Sequence, residues 1–332
     1  DVYKRQALWG SSDFSPRPEA AVLPGSTEEV QAIIKVCNRY KVKCHAISTG
    51  WLALTGPGRI QLDLRRMNRI LEIDEKNMYA VVEPYVPFAM LHHEAIKKGL
   101  RPNIIGAGPN CSVLASHTSM QGMGPASISS GYGGRNVLGV EWVLPTGEVL
   151  KLGSLGCGAG WFCGDGPGPS LRGIMRGYSG ALSGLGVFTK CAVKLYPWAG
   201  PPEHRSKGIS PMYQPEIPEN FRVYFVSFPS LDKMYESLYL ISEAEIAYGL
   251  NRCPASWVGG MMTSSNEEFW ELWQKGILQG KYINGFELVM AAHSDREMKY
   301  KEKCLKEILD KTGGWIPPEI MAMPAALDAA YI

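Results

Sequence analysis

Between Arg101 and Gly200 the chain carries 22 of its 37 glycines in less than a third of its length. Packed helices do not tolerate that density, because each glycine in a helix interior costs roughly 0.5–1 kcal/mol relative to alanine. The backbone here must instead turn tightly or lie against something flat. A collagen-like or disordered reading fails: there is no Gly-X-Y period, and apolar strand-like runs such as VLGVEWVL, EVLKL and GVFTKCAVKLY interrupt the glycines. A ligand lying along backbone is the economical explanation.

The flanking segments fit a chain of small α+β pieces. AAVL reads as a strand, followed by a turn at Pro24-Gly25-Ser26 and a helix from EEVQAIIKVCNRY. Ser26 or Thr27 can cap that helix, Glu28 and Glu29 suit its first turn, and Val30, Ile33, Ile34 and Cys37 recur at helical spacing. The strand VKCHAI leads into STGWLALTGPG, and QLDL and ILEIDEKNMYAVVEP read as short strands. Residues 87–99 read as a helix opened by proline and closed by Gly99; its adjacent His92 and His93 face about 100° apart and cannot share a metal. Trp198 to Pro202 forms the best boundary. Beyond it, strands FRVYFVSF and FELVMAAH alternate with helices starting near Ser230, Asn266 and Asp295, which suggests an antiparallel sheet with helices on one face. Phe269, Trp270 and Trp273 read as core.

With 332 residues, 45% of them hydrophobic, the chain is long enough for two cores. A net charge of +2 with scattered basic residues leaves no phosphate-neutralising stripe and argues against nucleic acid. No run approaches the ~18 apolar residues of a membrane span and no signal peptide opens the chain, so the cytoplasm is the expected compartment. Cys37, Cys44, Cys111, Cys157, Cys163, Cys191, Cys253 and Cys304 form no CxxC pair, so neither a metal site nor a redox dithiol is expected. The chain opens without methionine on a leader, residues 1–16, that fits nothing after it, and ends at Tyr331-Ile332 after an alanine-rich run; it reads as a fragment.

Five segments then carry a resemblance. They are Pro24-Gly25-Ser26-Thr27-Glu28-Glu29-Val30; Ile47-Ser48-Thr49-Gly50 with Trp51 to Gly56; LDLRRMNRILEID with AVVEPYV; Asn136 to Glu141 with Pro145-Thr146-Gly147-Glu148; and Gly177 to Thr189. In this order, over about 180 residues, they resemble the FAD-binding domain of the vanillyl-alcohol oxidase / p-cresol methylhydroxylase superfamily. The resemblance implies an α+β fold: a p-cresol methylhydroxylase-type FAD-binding domain of two α+β subdomains at 17–198, then an incomplete substrate-capping domain at 199–332 with an antiparallel sheet and helices. A strand-to-loop turn presenting the backbone N–H groups of Ser48, Thr49 and Gly50 makes an anion-binding concavity without a lysine, and no GxGxxG follows the first strand to favour a Rossmann alternative.

The resemblance also implies that FAD is the cofactor. Ile47, Ser48, Thr49, Gly50, Trp51 and Leu52 would meet its pyrophosphate, Pro84 and a second loop with Pro109, Ser112, Ser116, Thr118 and Gly122 would line the flavin, and Gly186, Val187 and Thr189 would meet the adenine side. A departure lies at Trp51 to Leu54, where many relatives have more glycines and polar residues. Trp51 stands where tethering relatives place a histidine, so the flavin is expected to be held non-covalently by residues 1–332. The implied activity is removal of a hydride from an alcohol or a 2-hydroxy acid such as glycolate or D-lactate. Phenol oxidation, non-redox alkyl transfer on the same fold, and a flavin-binding subunit or silent fragment needing a redox partner remain open, as does a homo-oligomer. No catalytic base is assigned; His117, Tyr132, Arg135, Tyr178 and His293 are the polar residues to test.

Overall fold

A computed structural model describes residues 17–50, 56–120, 122–164, 185–207, 214–252 and 254–318. The backbone divides into two compact units. The first holds residues up to Gly124 together with Gly131–Tyr196, and the second holds Pro125–Ser130 with Pro197 onward. Residues 125–130, which the sequence gives no reason to separate from their neighbours, join the second unit because the Leu250 N–H donates to the Pro125 carbonyl (3.0 Å) and the Ser129 hydroxyl to the Tyr248 carbonyl (2.8 Å).

The first unit contains two layered α+β pieces. In one, β1 (Ala20–Val22), β2 (Lys43–Ile47) and β3 (Arg59–Asp63) form a parallel sheet of order β1-β3-β2, with helix α1 (Thr27–Tyr40) crossing between β1 and β2. Ser26 caps α1 by accepting from the Glu29 N–H (3.2 Å), while Glu29 Oε2 accepts from the Gly25 N–H (2.7 Å), so two groups at the helix start are satisfied reciprocally. The helix stops where Lys41 turns left-handed at φ 56°. Its Val30 and Ile34 pack on Leu62 and Leu64 and on Val143 and Val187 of the neighbouring sheet.

That neighbouring sheet is antiparallel, of order β4-β5-β8-β6-β7, built from β4 (Ile70–Asp74), β5 (Tyr79–Val82), β6 (Val137–Val143), β7 (Val149–Leu152) and β8 (Val187–Lys194). Helices α2 (Phe88–Ile96) and α3 (Val113–Thr118) bury Phe88, Leu91, Val113 and Leu114 in one core with Val82, Val140, Trp142, Phe188 and Val193. On α2, His92 is buried and His93 exposed, as their 100° separation requires. A buried carboxylate ties the two pieces together: Glu141 Oε1 accepts from Thr27 Oγ1 (2.6 Å) and Lys190 Nζ (2.8 Å). Burial opposes ionisation of Glu141, but these bonds, led by Lys190, hold its carboxyl below the usual range.

In the second unit, β9 (Phe221–Ser227), β10 (Gly249–Arg252) and β11 (Gly285–Ala291) form an antiparallel sheet with β11 central. Helices α4 (Leu231–Glu243) and α8 (Asp295–Thr312) pack Met234, Ile241, Met298 and Leu305 against Val226, Phe286, Leu288 and Met290. The sequence suggested helices on one face only. The structure covers the other face too, because Phe225, which alternates with Val226, packs with Ala255 and Val258 of α5 (Ala255–Met262) and Leu278 of α7 (Ile277–Lys281). Between these two lies α6 (Asn266–Gln274), on which the Phe269 and Trp273 rings stack at 5.8 Å while Trp270 is 58% exposed rather than core.

Candidate functional site

The backbone leaves β2 into Ser48-Thr49-Gly50 with Gly50 at φ 78°, a left-handed conformation that side chains resist. Trp51 and Leu52 lie outside the described residues. Thr49 Oγ1 accepts from the Ser112 N–H (3.1 Å), and the Ser112 hydroxyl donates to the Pro84 carbonyl (2.6 Å) and accepts from the Ala115 N–H (3.0 Å), capping α3. One short chain of hydrogen bonds therefore pins together three segments that are distant in sequence.

These segments line a cleft enclosing about 850 Å³, its open mouth included. The loop contributes Ile47 to Gly50, followed by Pro84, the α3 residues Ser112, Leu114, Ala115, Ser116 and Ser119, and the β8 strand start at Gly186, Val187 and Phe188. His45, Ala46, Leu64, Cys111 and Met120 complete it. None of these described lining residues is acidic, so hydroxyls and backbone face an anion unopposed, while Leu64, Leu114, Val187 and Phe188 offer apolar wall to a ring. Burial pushes the Cys111 thiol up to about 11, which keeps it a neutral wall group.

Gly186 makes the wall thin. Its φ is +109°, and a Cβ there would stand 2.2 Å from the Val143 carbonyl oxygen and 2.9 Å from Trp142 Nε1. Only glycine lets the strand start approach β6 so closely.

Of the residues singled out in the sequence, Ile47, Ser48, Thr49, Gly50, Pro84, Ser112, Ser116, Gly186 and Val187 come together here. Four do not. Thr118 is fully buried and donates to the Leu114 carbonyl one turn back (2.8 Å). The Thr189 hydroxyl is turned toward Glu141 (3.2 Å), at the point where β8 shifts register against β6 between Glu141 and Trp142. Pro109 is spent on the start of α2, where its carbonyl accepts from the Ala89 N–H (2.9 Å), and Gly122 backs the wall through its N–H to the Ser116 carbonyl (3.1 Å). The missed residues Ala115 and Ser119 were findable: with Ser112 and Ser116 they recur at 3, 4 and 7 on one helix face, and Thr118 does not belong to that set.

Among the described residues considered for catalysis, none of His117, Tyr132, Arg135 and His293 lines the cleft. His117 is buried, its Nδ1 2.6 Å from the Val113 carbonyl, and burial pushes its pKa down to about 4. Arg135 is exposed with its guanidinium 5.4 Å over the Tyr132 ring, His293 is exposed in the second unit, and Tyr178 lies outside the described residues. Beside the first unit's edge strand β7, the Ser154 hydroxyl donates to the Gly160 carbonyl (2.7 Å) and Cys157 is exposed.

Against known families, residues 18–153 match the FAD binding domain. The chain carries an FAD-binding domain of the p-cresol methylhydroxylase fold. A solved structure of p-cresol methylhydroxylase with substrate bound shares that fold at a TM-score of 0.71 over 93% of this chain and 60% of its own, with 19% identity. Among curated relatives, the flavoprotein subunit of 4-cresol dehydrogenase [hydroxylating] from Pseudomonas putida is 30% identical over 54% of this chain and 35% of its own length. A D-lactate dehydrogenase from Anaerostipes hadrus is 29% identical over 59% of this chain and 39% of its own. The chain thus matches little more than a third of the length of these relatives. Most of the cleft lining falls within the matched residues 18–153, with neutral hydroxyls and a left-handed glycine at one wall and apolar side chains at the other. No described helix is long and apolar enough to cross a membrane.

Proposed function

We propose that the cleft of the first unit holds FAD non-covalently and that the protein is an FAD-dependent dehydrogenase of a small alcohol or 2-hydroxy acid. The observation that carries the reading is the convergence of Ser48, Thr49, Gly50, Ser112 and Gly186 on one cleft without an acidic lining residue. Ser48 and Thr49, with backbone N–H groups, bind the pyrophosphate. Gly50 keeps its approach open, and the hydrogen bond from Ser112 to Thr49 fixes the loop before the ligand arrives. Leu114, Val187 and Phe188 exclude water from the rings. FAD, when bound, supplies the two-electron chemistry, accepting a hydride from a substrate carbon.

The D-lactate dehydrogenase relative supports a 2-hydroxy acid substrate, whereas the fold of p-cresol methylhydroxylase and the Ile47-Ser48-Thr49-Gly50 loop favour a phenol as the second reading. Acting beside a redox partner is part of that second reading, since the cresol dehydrogenase relative is a flavoprotein subunit. Dye-linked turnover by the full-length protein with D-lactate, glycolate and 4-cresol separates the two. FAD retention in Gly50→Val tests the binding claim beneath both: loss of FAD is expected, and full retention refutes the assignment of the loop.

A further inference from the structure

The spacing of the cysteines along the chain pairs none of them, but the fold brings two together. Cys37 stands on the last turn of α1 and Cys44 on β2, with six residues between them. The helix ends at Lys41, and the Val42 N–H donates to the Cys37 carbonyl (2.9 Å), so the chain reverses directly into β2. The alternation of β2 turns Cys44 and Ala46 toward α1, where both join the cluster built on Val30 and Ile34. There the Cys44 sulfhydryl comes close enough to that of Cys37 for a hydrogen bond between the two.

Both cysteines carry free thiols, and both line one cavity of about 1020 Å³, its open mouth included, together with Asn38, Val42, Arg59 and Pro145. This cavity meets the first cleft at Gly186-Val187, and the two form one groove. Cys37 is buried and Cys44 only half-buried, so a small oxidant entering the cavity reaches Cys44 first. Burial, and after it the adjacent Cys37 thiol, pushes Cys44 up to about 11, so at neutral pH it rests as a thiol and reacts slowly, through a small thiolate fraction. Among the described residues, no histidine, carboxylate or further cysteine joins the two in a group that could hold a metal ion. The chemistry open to the pair is that of a dithiol.

We propose that Cys37 and Cys44 form a modification site at which a peroxide produces a reversible disulfide between α1 and β2. The Cys44 sulfur, as thiolate, takes one oxygen of hydrogen peroxide: an S–O bond forms, the O–O bond breaks, and the departing hydroxide leaves as water on protonation. The Cys37 sulfur then attacks the Cys44 sulfur. The S–S bond forms, the S–O bond breaks, and a second water leaves with the Cys37 proton. The two sulfurs lose two electrons in all, and one peroxide is reduced to two waters. The site stands on the packing of α1 against β2 and is independent of the FAD reading.

The test is peptide mapping of the native protein after exposure to hydrogen peroxide and alkylation of the remaining thiols. Trypsin cuts after Lys35, Arg39, Lys43 and Arg59, so the two cysteines leave on separate peptides, residues 36–39 and 44–59, which only a disulfide holds together. That linked pair is expected from the native protein and is released by dithiothreitol, whereas protein unfolded in urea before oxidation loses the selectivity. In Cys37→Ala, Cys44 has no thiol to resolve it and accumulates sulfenic acid that dimedone traps; the wild type does not. The exposed Cys157 reports that oxidant was sufficient. Oxidation of Cys157 with peptides 36–39 and 44–59 still unlinked overturns the proposal, as does equal dimedone labelling of Cys44 in Cys37→Ala and the wild type. The mapping needs only the wild type, so it decides the matter even if the variant fails to fold.

Discussion

Replacing Gly186 with alanine gives the sharpest measure of how tightly the cleft wall is built. Two costs add at this position. Holding a side chain at φ +109° strains the backbone by roughly 1–3 kcal/mol. The new Cβ would also meet the Val143 carbonyl oxygen at 2.2 Å and the Leu144 Cα at 3.1 Å, both backbone atoms of a paired strand end that cannot swing aside as a flexible side chain can. Overpacking of that kind costs roughly 1–3 kcal/mol more. Gly58 provides the control, since it too has a positive φ, +72°, but nothing lies within 4 Å of a Cβ there. Gly58→Ala should therefore cost only the left-handed penalty, about 1–2 kcal/mol, and Gly186→Ala about 1–3 kcal/mol beyond that. Urea denaturation of both variants with an unchanged m-value gives the comparison. FAD affinity should fall in Gly186→Ala and hold in Gly58→Ala, because only Gly186 lines the groove. Equal destabilisation by the two substitutions would refute the argument that the wall is held by a close backbone approach.

In the second unit, burial pushes the Glu287 carboxyl up to about 8 from 4.5, and its Oε1 has no hydrogen-bond partner. A raised carboxyl pKa penalises the fold from above about pH 4.5 and increasingly up to about pH 8, so Glu287→Gln should raise stability at pH 7.5 by about 1–3 kcal/mol and leave it unchanged at pH 4; an equal gain at both pH values contradicts this. The His117 ring, at about 4 against an ordinary 6.5, contributes stability that is complete above pH 6.5 and is lost as the pH falls toward 4. NMR should find it neutral at pH 5.5, and titration near 6.5 would contradict its burial. Acid precipitation should release all flavin from residues 1–332, whereas flavin retained on a peptide of this chain would disprove non-covalent binding.

The capped helix α1 was legible in the sequence because its signal is local: Ser26 before two glutamates acts within one turn. The loop at Ser48 to Gly50 was legible as well, since glycine and hydroxyl residues mark it without reference to the rest of the fold. Thr118 and Thr189 were misread because hydroxyls in a glycine-rich stretch look alike until helix and strand phase decide which way each one turns. The faces of the second sheet depended on Phe225 packing against a helix thirty residues later, and residues 125–130 on hydrogen bonds to strand β10.

Hydrogen–deuterium exchange of the full-length protein with and without FAD tests the central claim most directly. The account predicts slowed exchange in residues 43–50, 112–120 and 186–188 when FAD is bound, with the second sheet's central strand β11 unchanged. FAD-dependent protection that spares the 43–50 segment would contradict it.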